Sequence, residues 1–272
     1  MAVHDLTEPA TSPHTAPTSA DPRTSAGRAI VVGASSGIGA AIARQLARGG
    51  WQVAALARRA DELERLADEC RDACASSGGR ILPARHDVRD ADEIPELFER
   101  LVRNLGGLDL LVFAAAVMPE VAPAEYDTAK DLEMLSVNLG GCVGWCNAAA
   151  VLFRTQRRGT LLGISSIAGA RGRKGNPVYG ASKAAMDHYL EALRNRLDEA
   201  GVHVCTIRPG FVDTAMTRGK KTFWLISAEE AARRSLDAAR RGVNVRYVPR
   251  RWRLVAWVLV LIPSFVFRKL SF

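Results

Sequence analysis

From Arg28 onward the chain alternates short, continuous apolar runs with amphipathic stretches, and this alternation restricts the fold more than any other feature. The runs Ala29–Val32, Gln52–Ala57, Arg80–His86, Leu108–Phe113, Thr160–Ser165, Val202–Ile207 and Val245–Val248 have the length and composition of strands. Helical patterns fill the intervals at about Ile38–Arg48, Asp61–Ala75, Ala91–Leu105, Thr128–Thr155, Tyr179–Ala200 and Ala228–Arg241. A strand without a polar face is buried on both sides, so helices must cover it above and below. With right-handed crossovers the result is a doubly wound parallel sheet of about seven strands in one α/β domain spanning residues 28–249. A chain of 272 residues is long enough to close such a domain around its own core.

The first strand runs directly into Gly33-Ala34-Ser35-Ser36-Gly37-Ile38-Gly39 and then a helix. Gly33 permits a tight turn, Gly37 lets the backbone approach a pyrophosphate, and Gly39 allows close packing of helix on strand. The amides of Ser35, Ser36 and Ile38 and the positive end of the helix would face the anion. A plain turn between strand and helix is the competing reading, but the position after the first strand of an alternating fold favours a dinucleotide site in a Rossmann-like domain. Where NAD-preferring folds place an acid at the end of the second strand, this chain has Ala57, Arg58 and Arg59. Without that acid a 2′-phosphate is not repelled, and a guanidinium such as Arg58 can grip it, so NADP(H) is the expected cofactor and NAD(H) the second choice. The bland alternative is two solvated arginines capping a strand.

The ends differ from the middle. Met1–Gly27 interleaves Pro9, Pro13, Pro17 and Pro22 with Thr, Ser and Ala, which reads as a disordered arm without the apolar core of a secretory signal. Residues 250–272 form a tail in which apolar Leu254–Phe267 is flanked by Arg250, Arg251 and Arg253 on one side and Arg268 and Lys269 on the other. Fourteen helical residues reach about 21 Å, short of a bilayer core of about 30 Å. Cations at both ends suit a hairpin or in-plane anchor on an anionic membrane, against the alternative of a packed tail or dimer contact. Net charge is +8, which admits anionic lipid or phosphorylated ligands; the basic residues form no nucleic-acid pattern. Five cysteines, an odd number, fit a reducing cytosol, and their spacing suits buried small hydrophobes better than a metal site, so no metal is expected.

Asp87-Val88, Asn138, Ser165-Ser166, Tyr179-Gly-Ala-Ser-Lys183 and Arg208-Pro209-Gly210-Phe211-Val212-Asp213-Thr214 follow the glycine turn in that order. Together these motifs resemble the short-chain dehydrogenase/reductases over about Arg28–Val248. Tyr179 and Lys183 are four apart and share a helix face. A phenol of ordinary pKa near 10 is a poor acid–base catalyst at neutral pH, and a neighbouring ammonium would bring it towards working range. The resemblance implies Ser166 on the substrate oxygen, Tyr179 as proton donor, Lys183 on the nicotinamide ribose and Asn138 holding a relay water. It also implies Asp87 and Val88 at the adenine, Thr214 at the carboxamide, and Pro209, Gly210 and Val212 beside the ring. Family members carry Asn-Asn-Ala-Gly after the fourth strand, whereas this chain has Phe113-Ala114-Ala115-Ala116. Ala114 and Ala115 can line the cofactor by backbone alone, without the usual side-chain bracing.

A narrower resemblance is to the keto-reductase subunits of actinobacterial decaprenylphosphoryl-ribose epimerases. It lies in the loop Ala170-Arg-Gly-Arg-Lys-Gly-Asn-Pro-Val-Tyr179, the altered turn after the fourth strand, and the ending Ile262-Pro-Ser-Phe-Val-Phe-Arg-Lys-Leu270. It implies reduction of a keto-pentose on a polyprenyl phosphate at the inner membrane face, beside a partner oxidase and as a homo-oligomer. Arg171, Arg173 and Lys174 would then clamp a phosphorylated substrate, or else form an ordinary solvated loop. The rival readings are a reductase of another lipid-like ketone, such as a 3-ketoacyl lipid or steroid, and a nucleotide-binding scaffold without turnover.

Overall fold

The computed structural model describes residues 27–122, 124–219 and 222–270. The arm expected over residues 1–27 lies outside them except for Gly27. The chain runs β1 (Arg28–Val32), α1 (Gly37–Arg48), β2 (Gln52–Ala57), α2 (Ala60–Ala73), β3 (Arg80–Arg85), α3 (Ile94–Leu105) and β4 (Leu110–Phe113). It continues through α4 (Thr128–Leu135), a π turn (Ser136–Gly140), α5 (Gly141–Gln156), β5 (Thr160–Ile164), α6 (Pro177–Leu197), β6 (His203–Pro209), α7 (Ala228–Arg240) and β7 (Val245–Val248). Two further helices, α8 (Trp252–Leu261) and α9 (Ser264–Phe267), close it. The seven strands form one sheet in the order β3-β2-β1-β4-β5-β6-β7, and every pairing is parallel. The strand order therefore reverses between β1 and β4, and ligands of such sheets bind in the crevice beyond the strand ends at that switch.

Strand periodicity sorts the core into two layers. Ala29 and Val31 of β1 face the layer of Ile42 and Leu46 from α1, Leu63 from α2 and Leu236 from α7. Ile30 and Val32 face the opposite layer, with Phe98 from α3, Trp145 and Phe153 from α5, and Leu190 from α6. The 29 residues from Thr128 to Gln156 are long and apolar enough to cross a membrane by length and composition. Here Met134, Trp145 and Phe153 are fully buried, so the segment is a core crossover.

The single helix expected over Thr128–Thr155 is broken by the π turn, where one extra residue per turn rotates Asn138 inward. Its amide takes both backbone groups of Val117: Val117 N–H donates to Oδ1 at 2.7 Å, and Nδ2 donates to the Val117 carbonyl at 3.0 Å. The helix expected from Ala91 begins instead as a 3₁₀ turn, Ala91–Glu93, before Pro95 opens α3. All five cysteines are buried free thiols.

Candidate functional site

The strand ends around the switch open into a cleft of about 740 Å³. At one end, Gly33 has φ of +91°, and a Cβ there would collide with the Ala115 backbone. A Cβ on Gly39 would collide with the Gly33 carbonyl. The amides of Gly33 and Ala34 donate to the Leu56 carbonyl at 2.8 and 2.9 Å, which ties the turn to β2. No acidic residue occupies the first turn of α1, so its positive end stays available to an anion. This cradle fits a dinucleotide pyrophosphate, because it presents amides and helix dipole where side chains would obstruct.

Arg58 and Arg59 are both exposed at the rim and line the cleft. Arg59, which sequence reasoning passed over in favour of Arg58, reaches across the turn and donates to the hydroxyls of Ser35 and Ser36, each at 2.9 Å. Its position directly after Arg58 was the only sequence signal. The Asp87 carboxylate is held by the Arg89 guanidinium, with 2.7 Å from Nη2 to Oδ2, and that bond keeps its pKa below the usual carboxylate range. Val88 is buried beside Gly141, and both Asp87 and Val88 line the cleft. Ala114 N–H donates to the Val32 carbonyl at 2.8 Å. Without polar side chains of its own, the turn through Ala114, Ala115 and Ala116 is braced by Asn138 at the next residue, Val117.

Across the sheet, Ser166, Tyr179 and Lys183 come together. Ser166 follows β5 and accepts from Ala168 N–H at 3.1 Å. Pro177 starts α6 and Asn176 turns the chain into it with φ of +57°. This helix brings Tyr179 and Lys183 to the cleft one turn apart. Burial pushes the Tyr179 phenol above its ordinary pKa, while the Ser166 hydroxyl bonded to it and the charge of Arg173 pull the other way. Burial also lowers Lys183 to about 8. Its ammonium donates to the Ile164 carbonyl at 2.9 Å and lies 5.9 Å from the centre of the Tyr179 ring. In this state the lysine serves the β5 backbone, and the groups that favour the phenolate are Ser166 and Arg173. Asn138 Nδ2 also reaches the Ser182 hydroxyl at 3.1 Å, beside Lys183.

Pro209 and Gly210 leave β6 along the cleft, with Gly210 N–H donating to the Val248 carbonyl at 2.9 Å. Val212 forms a bridge with Ile226, and the Thr214 methyl faces Gly37 across the glycine turn. Of the three loop cations, Arg173 lines the cleft and Lys174 does not. Arg171 lines it with its guanidinium turned to the C-terminal tail, where it donates to the carbonyls of Leu259 and Ile262 and stacks 4.0 Å over Phe267. Arg171 thus lines the cleft and contacts the tail at once. The tail itself is no separate appendage: Trp252 and Ala256 are buried, and Trp252 and Leu259 line the cleft. Neither of these two wall residues carried a motif that sequence reasoning could use.

Comparison with known proteins agrees with this geometry. Residues 28–223 match the family model described as short chain dehydrogenase. An uncharacterized oxidoreductase of Mycobacterium tuberculosis is 32% identical over 248 residues, covering 91% of this chain and 98% of its own. One of Myxococcus xanthus is 37% identical over 189 residues, covering 70% of this chain and 73% of its own. A short-chain type dehydrogenase/reductase from Mycobacterium ulcerans shares the fold, with a TM-score of 0.74 at 23% identity over 81% of this chain and 87% of that one.

Proposed function

Because the chain belongs to the short-chain dehydrogenase family and is an NAD(P)-dependent oxidoreductase, we propose that it works as a carbonyl reductase using NADP(H) in preference to NAD(H). The observation that carries this reading is the convergence of Ser166, Tyr179 and Lys183 on the same cleft as the glycine cradle. The bound nicotinamide would supply the hydride. Gly33, Ser35, Ser36, Gly37, Ile38 and Gly39 hold the pyrophosphate, Arg58 with Arg59 hold a 2′-phosphate, and Val88 packs on the adenine. Ser166 donates to the carbonyl oxygen and orients it. Tyr179 gives that oxygen its proton as the bond to carbon forms, and the buried ammonium of Lys183 favours the resulting phenolate once it turns from Ile164. Asn138 holds the loop at Val117 and the Ser182 hydroxyl beside Lys183, which suits a relay of protons from solvent.

The substrate is a lipid-like ketone met at a membrane surface, for which a keto-pentose on a polyprenyl phosphate is the narrowest candidate, with a partner oxidase supplying it. Support comes from the apolar tail wall at the substrate end of the cleft and from Arg173 beside Tyr179. The test is NADPH consumption by the purified protein with a panel of ketones of rising chain length, repeated with NADH. Faster turnover with NADPH on the apolar members supports the reading. Cofactor binding without oxidation by any ketone would leave the scaffold reading in its place.

A further inference from the structure

The tail presents two different faces. Inward, Trp252 and Leu259 form part of the cleft wall. Trp252 also anchors an aromatic cluster: ring centres lie 5.4 Å away at Phe211, 5.0 Å at Phe223 and 5.7 Å at Trp224. Outward, Leu254, Trp257, Leu261 and Phe265 are each more than 60% exposed, and the patch continues through exposed Phe223, Trp224 and Leu225. A contiguous apolar surface of this kind marks an interaction site. Its border is cationic. Residues 250–270 contain no acid, and among the described residues Arg250, Arg253, Arg268 and Lys269 have no acidic partner.

Beside the Trp252 cluster, a polar latch holds this element to the catalytic half. Arg171, in the loop between Ser166 and Tyr179, donates to the carbonyls of Leu259 and Ile262 at the end of α8, where a helix leaves its last acceptors unpaired. A second nitrogen reaches the Ser264 hydroxyl at 3.4 Å, and the guanidinium plane covers Phe267. A guanidinium is suited to this place, because its planar fork serves several acceptors at once and its charge complements the helix terminus.

We infer that α8 forms the lipid-facing wall of the substrate cleft, latched by Arg171 and extended on its outer face by α9, and that the reducible carbonyl arrives on an amphiphile drawn from an anionic bilayer. This rests on the reductase reading above. Charge complementarity selects the bilayer as occupant of the outer face, since an apolar strip rimmed by unpaired cations matches a surface that is apolar inside and anionic at its edge. The same strip then lies beside Trp252, so an alkyl chain leaving the lipid meets the cleft wall without crossing water. Arg171 is a positioning residue in this scheme: it sets the distance between the wall and the Ser166–Tyr179 loop.

The test compares the full chain with Trp257→Glu/Leu261→Glu, which alters the exposed face and leaves the lining of the catalytic cleft untouched, and with Arg171→Gln. Flotation with phosphatidylglycerol vesicles, against phosphatidylcholine alone, reads the surface. Reduction of methyl undecyl ketone in those vesicles, against butanone in solution, reads the wall. The intact chain is expected to float with the anionic vesicles, and the double variant to stay behind with butanone kinetics unchanged. Both variants should raise KM for the long ketone by at least about tenfold while kcat changes less. Arg171→Gln should also speed tryptic cleavage of the tail, whose arginines are exposed but held in an ordered segment by the latch. Failure of the intact chain to float overturns the inference, as does a double variant that turns a dimer into a monomer, which would assign the face to a second copy. Unaltered chain-length discrimination in Arg171→Gln overturns it too, and leaves the reductase reading standing. If neither ketone consumes NADPH, the reductase reading fails, and dialysis of the long ketone against NADP⁺-saturated protein decides the wall: weaker retention by both variants upholds it and equal retention rejects it.

Discussion

The glycine turn brings its cofactor-facing groups from seven consecutive residues, Gly33 to Gly39, whereas the opposite wall assembles Arg171, Phe211 and Trp252 from three distant stretches. The turn is fixed by backbone: its amides bond the Leu56 carbonyl of the adjacent strand, and β1 and β4 lie in register from Ala29 with Leu110 to Val32 with Phe113. The wall is fixed by side chains, in a cluster of aromatic rings and one guanidinium. Backbone geometry tolerates few substitutions and so preserves one ligand, while side-chain walls can be rebuilt for different ones. The contrast assigns constancy to the nucleotide end and selectivity to the tail end.

The largest expected effect comes at the junction of the two. Tyr179→Phe keeps the ring and its packing but removes the proton, so kcat should fall at least ~10²-fold with NADPH affinity unchanged. Near-normal turnover in a stopped-flow assay would remove Tyr179 from the chemistry. At the nucleotide end, Arg58→Ala should weaken NADPH by roughly 1.5–3 kcal/mol and hardly alter NADH. Equal losses for both, by fluorescence titration, would reduce Arg58 to a surface charge and pass the phosphate to Arg59. Asn138→Ala strands the two backbone groups of Val117, and chemical denaturation should report about 1–2 kcal/mol less stability. If stability is unchanged, the braced turn is held by something other than Asn138.

Lys183 gives the smallest effect and a definite sign. Its folded pKa of about 8 lies below the ordinary 10.5, so between these values the unfolded chain binds the extra proton and stability rises with pH. Below the folded value the buried charge is a fixed burden. Lys183→Met lacks it, so the stability of the variant relative to wild type should decline by about 1 kcal/mol from pH 7 to pH 9. A constant difference across that range would place the titration elsewhere.

What could be read in advance follows the same division. Strand runs and the glycine spacing are local patterns, and they located all seven strands and the turn to within a few residues. Tyr179 and Lys183 were legible because four residues make one helix turn. The π turn at Ser136–Gly140 was not, since it depends on Asn138 meeting Val117 across 21 positions. The tail contact of Arg171 is equally hidden, because an arginine in a loop carries no mark of its acceptors, which here are carbonyls 88 and 91 residues later. The tail was legible as apolar and basic-flanked, but a one-dimensional pattern has no means of separating its cleft face from its outer one.

The contact between Gly210 and Trp252 limits how such enzymes can be recombined. The Trp252 indole fills the space that any side chain at 210 would occupy, so the turn leaving β6 and the tail are cut to one another. Grafting this C-terminal cassette onto a scaffold with a larger residue at the equivalent turn would force the tryptophan outward and leave the transplanted segment undocked. The C-terminal segment is therefore not a portable module. A designer would have to move position 210 and position 252 as a pair.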